Sequence, residues 1–220
     1  MDIKIFKDES EFVAASVAKI LHACETPQGT VGRVALSGGS TPKPIYEALS
    51  SQSEFIDSTE FYQVDERYVP QDHKNSNHKL ITESLKPKDF YAFDTSLPIE
   101  ECLSQYEEKL REMGEHTFDV SILGIGTDGH TASLFPNSDS LGENEKWTAH
   151  TTTDEHDIKD RLTLTFPPIL YSKSLLVLLK GSKKRTVLER LLSGGGSTET
   201  FPALGLRKHT NLTIYFLENI

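Results

Sequence analysis

The chain has 220 residues, with 23 Lys+Arg against 33 Asp+Glu and a formal net charge of −10 at pH 7. That acidity argues against a nucleic-acid binder, which needs a cationic footprint, and the longest aliphatic run, Leu175 to Leu179, is far short of the roughly 20 residues of a membrane helix. The charge is unevenly spread: residues 1–160 hold 14 Lys+Arg and 30 Asp+Glu (−16), whereas residues 161–220 hold 9 and 3 (+6), enough to clamp a small phosphate.

The length and the absence of a repeat predict one domain over residues 1–220. IKIF (3–6) reads as a strand. Phe12, Val13, Val17, Ile20, Leu21 and Cys24 then recur at helical spacing behind an Asp8-x-x-Glu11 capping box. RVALS (33–37) is a strand, followed by a helix from Pro42 to Leu49, a strand FYQVD (61–65) and a helix near 76–85. A longer helix near 98–113 places Cys102, Leu103, Tyr106, Leu110 and Met113 on one stripe. The rest reads as strands DVSILGIG (119–126), LTLTF (162–166) and LLVLL (175–179), a helix over 183–192 and a strand LTIYFL (212–217). Alternating strands and helices, with several strands apolar on both faces, predict an α/β fold with a mostly parallel sheet flanked by helices. Ligands of such sheets bind beyond the carboxyl ends of the strands.

Three strands run into polar or glycine-rich segments there. In Ser37-Gly38-Gly39-Ser40-Thr41-Pro42 the paired glycines let backbone approach a ligand. Thr41 and Pro42 suit N-cap and first helical position, which makes an anion site or simply a tight turn. The spacing is not that of a Walker P-loop. Asp65-Glu66-Arg67 follows the next strand and reads either as site residues or as a surface charge cluster.

Gly124, Gly126 and Gly129 form a literal G-x-G-x-x-G after a strand. A dinucleotide fingerprint must open a long helix, however, and this loop carries Asp128 and His130 at its tip and reaches Pro136 six residues after the histidine. A neutral imidazole held at the sheet's carboxyl edge suits a general base near pH 7. In the basic quarter, Lys183, Lys184 and Arg185 crowd the first turn of a helix read as capped by Ser182. They oppose the helix dipole unless an anion binds, and Arg161 offers a second phosphate contact. The glycine run 193–198 reads as a flexible connection.

Neither a Gly-x-Ser-x-Gly elbow nor a metal-ligand spacing among His73, His78, His150 and His156 is present. The two cysteines, Cys24 and Cys102, fit reduced thiols and a cytoplasmic location. What remains is a site without metal or cofactor, combining one histidine, nearby carboxylates and a phosphate grip.

In combination, ALSGGSTPKPIYEAL (35–49), VDERYVPQDHKNSNHKLI (64–81), FDVSILGIGTDGHTASLFP (118–136), RLTLTF (161–166), the Gly181-x-x-Lys184 turn and FPAL (201–204) resemble the 6-phosphogluconolactonase family. They stand in family order over most of the chain. The resemblance implies a modified Rossmann-like fold shared with glucosamine-6-phosphate deaminases. It also implies hydrolysis of 6-phospho-D-glucono-1,5-lactone, the second step of the oxidative pentose phosphate pathway.

By the same resemblance His130 is the base that activates water, with Asp128 beside it and Asp65 and Arg67 in the second loop. Ser37, Gly38, Gly39, Thr41, Arg161 and Lys184 form the phosphate side. The related deaminase continues its histidine segment with a catalytic glutamate in an Asn-Glu-Pro context; here Leu134, Phe135 and Pro136 stand there, and phenylalanine cannot exchange protons. A non-catalytic sugar-phosphate sensor is the other alternative, and this chain keeps both Asp128 and His130. The motifs leave the oligomeric state open.

Overall fold

In the computed structural model, which describes residues 1–25, 30–114 and 118–218, the chain runs β1 (Asp2–Phe6), α1 (Glu9–Ala23), β2 (Gly32–Leu36), α2 (Lys43–Leu49), α3 (Ser53–Asp57), β3 (Thr59–Gln63) and β4 (Asp65–Arg67). It continues through α4 (Asn77–Ser84), β5 (Asp89–Tyr91), α5 (Ile99–Arg111), β6 (Val120–Gly124), β7 (Thr148–Thr152) and β8 (Asp160–Leu164). Last come α6 (Phe166–Leu170), β9 (Leu175–Lys180), α7 (Arg185–Ser193) and β10 (Leu212–Leu217).

Seven strands form one sheet in the order β1-β10-β9-β6-β2-β3-β5, every neighbouring pair parallel. The sequence alternates faces as a twice-covered sheet requires. Val34 and Leu36 of β2, with Leu176 and Leu178 of β9, pack under α1 to α4 beside Phe12, Ile20, Ile45 and Ile81. Ala35, Leu175, Val177 and Leu179 face the opposite side, against Cys102, Tyr106 and Leu110 of α5 and Val187, Leu188 and Leu191 of α7.

Local signals account for several element ends. Asp8 accepts the Glu11 amide at 2.9 Å, the cap that starts α1, worth about 1 kcal/mol. Gly194 ends α7 in the left-handed region at φ 70°, where a residue without Cβ sits at least cost.

Two strands behave differently from expectation. FYQVD is not one strand: it breaks at Val64, whose amide donates to Leu36 O at 3.0 Å and whose carbonyl accepts from Leu164 N at 2.8 Å. The residues beyond it, β4, join β8 and β7 in a separate three-stranded antiparallel sheet. LTLTF therefore belongs to that small sheet, and its strand starts at Asp160. The short elements α3, β5, β7 and α6 were not marked by any periodicity. Among the described residues no helix is long and apolar enough to cross a membrane.

Candidate active site

The carboxyl ends of β2, β3 and β6 open into one cavity of about 520 Å³, and the small sheet forms its far wall. Ser37, Gly38, Gly39, Asp65, Arg67, His130, Arg161 and Lys184 all line it. Of the expected residues, Asp128 touches the cavity through His130, and Thr41 lies apart, lining an adjoining pocket of about 70 Å³.

His130 is fixed by its own loop. Its Nδ1 lies 2.7 Å from Asp128 Oδ1, and its amide donates to the same oxygen at 3.2 Å. Burial pushes the Asp128 carboxyl up, but the hydrogen bond and charge of His130 outweigh this and hold it below the usual carboxylate range. An ionised carboxylate only accepts, so in the neutral imidazole the proton sits on Nδ1 and the lone pair on Nε2. Gly126 makes room: a Cβ there would stand 2.2 Å from His130 Nδ1 and 2.3 Å from Asp128 Oδ1. Gly129 sits at φ +95°, and a Cβ on it would meet the Phe201 ring at 2.1 Å. The carbonyl of Gly129 accepts Ala203 N at 3.0 Å, so the FPAL turn buttresses the histidine loop from behind.

The other end of that loop is tied to the small sheet. Ser133 Oγ donates to Asp65 Oδ2 at 2.8 Å and Ser133 N donates to Thr163 Oγ1 at 3.1 Å. Between His130 and Ser133, Ala132 occupies the left-handed region at φ 53°, a conformation that costs a residue with a side chain about 1 kcal/mol.

Arg67 and Arg161 are register partners in β4 and β8 and point from the same face. Arg67 Nη1 donates to Asn75 O at 2.9 Å and to Asn77 Oδ1 at 2.7 Å, while Arg161 Nε donates to Ile158 O at 3.0 Å. Burial first, then the charge of Arg67, lowers the affinity of Arg161 for its proton, with Asp65 and Glu66 opposing. Asn77 also donates Nδ2 to Asp65 O at 2.9 Å. Glu66 faces away from the cavity. It accepts the amides of Arg67, Asn77 and His78 and the side chains of Gln63 and Ser76, all within 3.0 Å, and so anchors the start of α4.

On the glycine-loop side, Tyr46 OH donates to Ser37 O at 2.8 Å. Ser37 Oγ is buried without a partner among the described residues, as suits an atom kept for a ligand. Gly38 is required because a Cβ on it would lie 1.9 Å from Asn77 Oδ1. Lys184 Nζ donates to Ile125 O, and burial lowers its pKa against the opposing charge of Asp128.

Two expected caps are absent. α2 is capped by Pro42 without a side-chain bond, so Thr41 does not cap it. A 3-10 turn over Ser182–Lys184 precedes α7, and Ser182 makes no capping bond there. Lys183 is exposed and Arg185 pairs with Glu218, so Lys184 is the cation of that turn that reaches the cavity.

Asn77, Ser133 and His156 are lining residues that pattern reasoning left out. Asn77 and Ser133 fall inside the motif segments 64–81 and 118–136 and were reachable from them; His156, on the β7–β8 loop, had no local signal. Among the described residues no group of three or more His, Cys, Asp or Glu is arranged to hold a metal ion.

The family of glucosamine-6-phosphate isomerases/6-phosphogluconolactonase matches residues 7–215. A Dictyostelium discoideum protein described as a probable 6-phosphogluconolactonase is 36% identical over 201 residues, covering 86% of this chain and 85% of its own. A Nostoc 6-phosphogluconolactonase is 31% identical, covering 91% and 89%. The crystal structure of 6-phosphogluconolactonase from Thermotoga maritima superposes with a TM-score of 0.87 at 32% identity over 99% of each chain. A monomeric glucosamine-6-phosphate deaminase shares the fold, with a TM-score of 0.84 at 21% identity.

Proposed function

The chain belongs to the glucosamine-6-phosphate isomerase/6-phosphogluconolactonase family and hydrolyses 6-phosphogluconolactone in the pentose phosphate pathway, and we propose that it does so through a mechanism centred on His130. The observation that carries this mechanism is the Asp128–His130 pair set into a cavity that also holds Arg67, Arg161 and Lys184. The substrate we assign is 6-phospho-D-glucono-1,5-lactone.

Arg161, Lys184 and the backbone of Ser37 to Gly39 hold the phosphate, which positions the ring and supplies binding energy remote from the reacting carbon. Nε2 of His130 takes a proton from water as its oxygen adds to the lactone carbonyl. Asp128 keeps the proton on Nδ1 and stabilises the imidazolium that forms. Arg67 donates to the developing oxyanion. When the tetrahedral intermediate collapses, the bond from C1 to the ring oxygen breaks, and the imidazolium returns its proton to that oxygen. Asp65 ties Ser133 in place and offsets the charge of Arg67's neighbour Arg161.

Phe135 supports hydrolysis over deamination. Its ring lies 4.8 Å from that of His130 and presents no exchangeable proton. The free thiols of Cys24 and Cys102 support a cytoplasmic location.

Freshly prepared lactone followed by pH-stat, run beside glucosamine 6-phosphate followed by ammonia release, tests the reading. Acid release from the lactone alone, lost in His130→Ala, is the expected result. Full turnover in that variant would remove His130 from the mechanism.

A further inference from the structure

The β7–β8 loop carries a titratable group that this mechanism does not use. His156 lines the cavity, with its ring 6.0 Å from that of His130 at an interplanar angle of 83° and 6.1 Å from that of Phe135. Charged and titratable groups face it from each neighbouring element: Arg161 of β8, Arg67 of β4, and His130 and Asp128 of the β6 loop. On its own loop Asp157 also lines the cavity, whereas Asp154 is paired with Lys159 at 2.6 Å.

We propose that His156 is a substrate-binding residue that shares the cavity wall with Arg161 and donates a hydrogen bond to the phosphate of the bound sugar. The inference rests on the assignment of the phosphate to Arg161 and Lys184 above. Its position on a loop that ends in β8 lets one short segment deliver both the guanidinium and the imidazole to the same anion. In the free protein burial, then the charge of Arg161, holds the imidazole below its ordinary range. A phosphate seated beside Arg161 reverses the local field, so His156 takes up a proton from solvent on binding and gains a second donor. His156 thereby separates phosphorylated from unphosphorylated lactones and leaves the chemical step to His130.

The test compares wild type, H156Q and R161Q. Steady-state kinetics on 6-phosphogluconolactone and unphosphorylated gluconolactone are paired with calorimetry of 6-phosphogluconate at pH 7.5 in buffers of different ionisation enthalpy. In H156Q the KM for the phosphorylated lactone is expected to rise about tenfold, the size of one charge-assisted hydrogen bond. Its kcat should stay within about threefold, kcat/KM for the unphosphorylated lactone should be unchanged, and proton uptake on binding should be lost. An unchanged KM, an equal loss on both lactones, or retained proton uptake would overturn the inference. If R161Q raises KM and H156Q does not, only the role of His156 fails; if R161Q also leaves KM unchanged, the phosphate assignment itself fails.

Discussion

Arg67 and Arg161 stand directly opposite one another in the β4–β8 ladder, two guanidinium groups on one face of a three-stranded sheet. Like charges at such positions destabilise the pair, so a phosphate bound at Arg161 recovers part of that cost as affinity. 6-Phosphogluconate should therefore raise the melting temperature, by the equivalent of about 2.7 kcal/mol at a hundred times its Kd. Gluconate at equal concentration should do far less, and added salt should shrink the difference. Differential scanning fluorimetry with both ligands checks this, and R161Q should shrink the shift.

Asp128→Asn replaces the ionised, accept-only oxygen beside His130 Nδ1 with a neutral amide that can also donate to it, so the proton is no longer held on Nδ1. The expected loss is about 10²- to 10⁴-fold in kcat with little change in KM. A carboxyl held below its unfolded value stabilises the fold above that value and loses the effect as pH falls through the folded one. Wild type should thus outlast the variant at neutral pH, and the two denaturation curves should converge below about pH 4.

Gly38→Ala has no room to be neutral. Its Cβ would press on Asn77 Oδ1, the atom that holds Arg67 Nη1. We expect kcat/KM to fall about tenfold or more, a loss that follows from misplacing a group at the site. N77A should show the same kinetic defect, and G38A added to N77A should cost little further. Kinetics on the double-mutant cycle measure that coupling.

Glu66→Gln tests whether the middle residue of Asp65-Glu66-Arg67 is chemical or structural. Both carboxylate oxygens accept hydrogen bonds at the start of α4, and an amide can accept at only one. The variant should lose about 2–3 kcal/mol of stability in urea titrations, while folded protein retains most of its kcat. A collapse of kcat in fully folded E66Q would place Glu66 in the reaction instead.

Much of the scaffold was readable because its causes are local. Asp8 announces α1 three residues ahead of Glu11, the β9 segment is apolar on both faces, and Cys102, Tyr106 and Leu110 mark the buried stripe of α5. The loops after β2, β3 and β6 were legible as cavity-lining loops because glycine, proline and charged residues interrupt strands at the sheet's carboxyl edge. Two helix caps, after β2 and after β9, were misassigned, since Thr41 and Ser182 have the right chemistry for a cap but the backbone enters each helix one or two residues later. The break at Val64 carries no local mark, as valine continues a strand as readily as it ends one.

The sequence alone determined the chemistry on offer: a histidine with a carboxylate two residues earlier, glycines where backbone must come close, and cations collected in the last quarter of an acidic chain. The order and spacing of those pieces also carried the family resemblance, because both are properties of neighbouring residues. Only the tertiary structure decided which groups meet. Arg67 and Arg161 become neighbours through a strand register, Ser133 reaches Asp65 across the cavity wall, and His156 arrives opposite His130 on a loop far along the chain. Such contacts depend on how two sheets pack around one core, a long-range balance of burial and hydrogen bonding that no short stretch of sequence encodes.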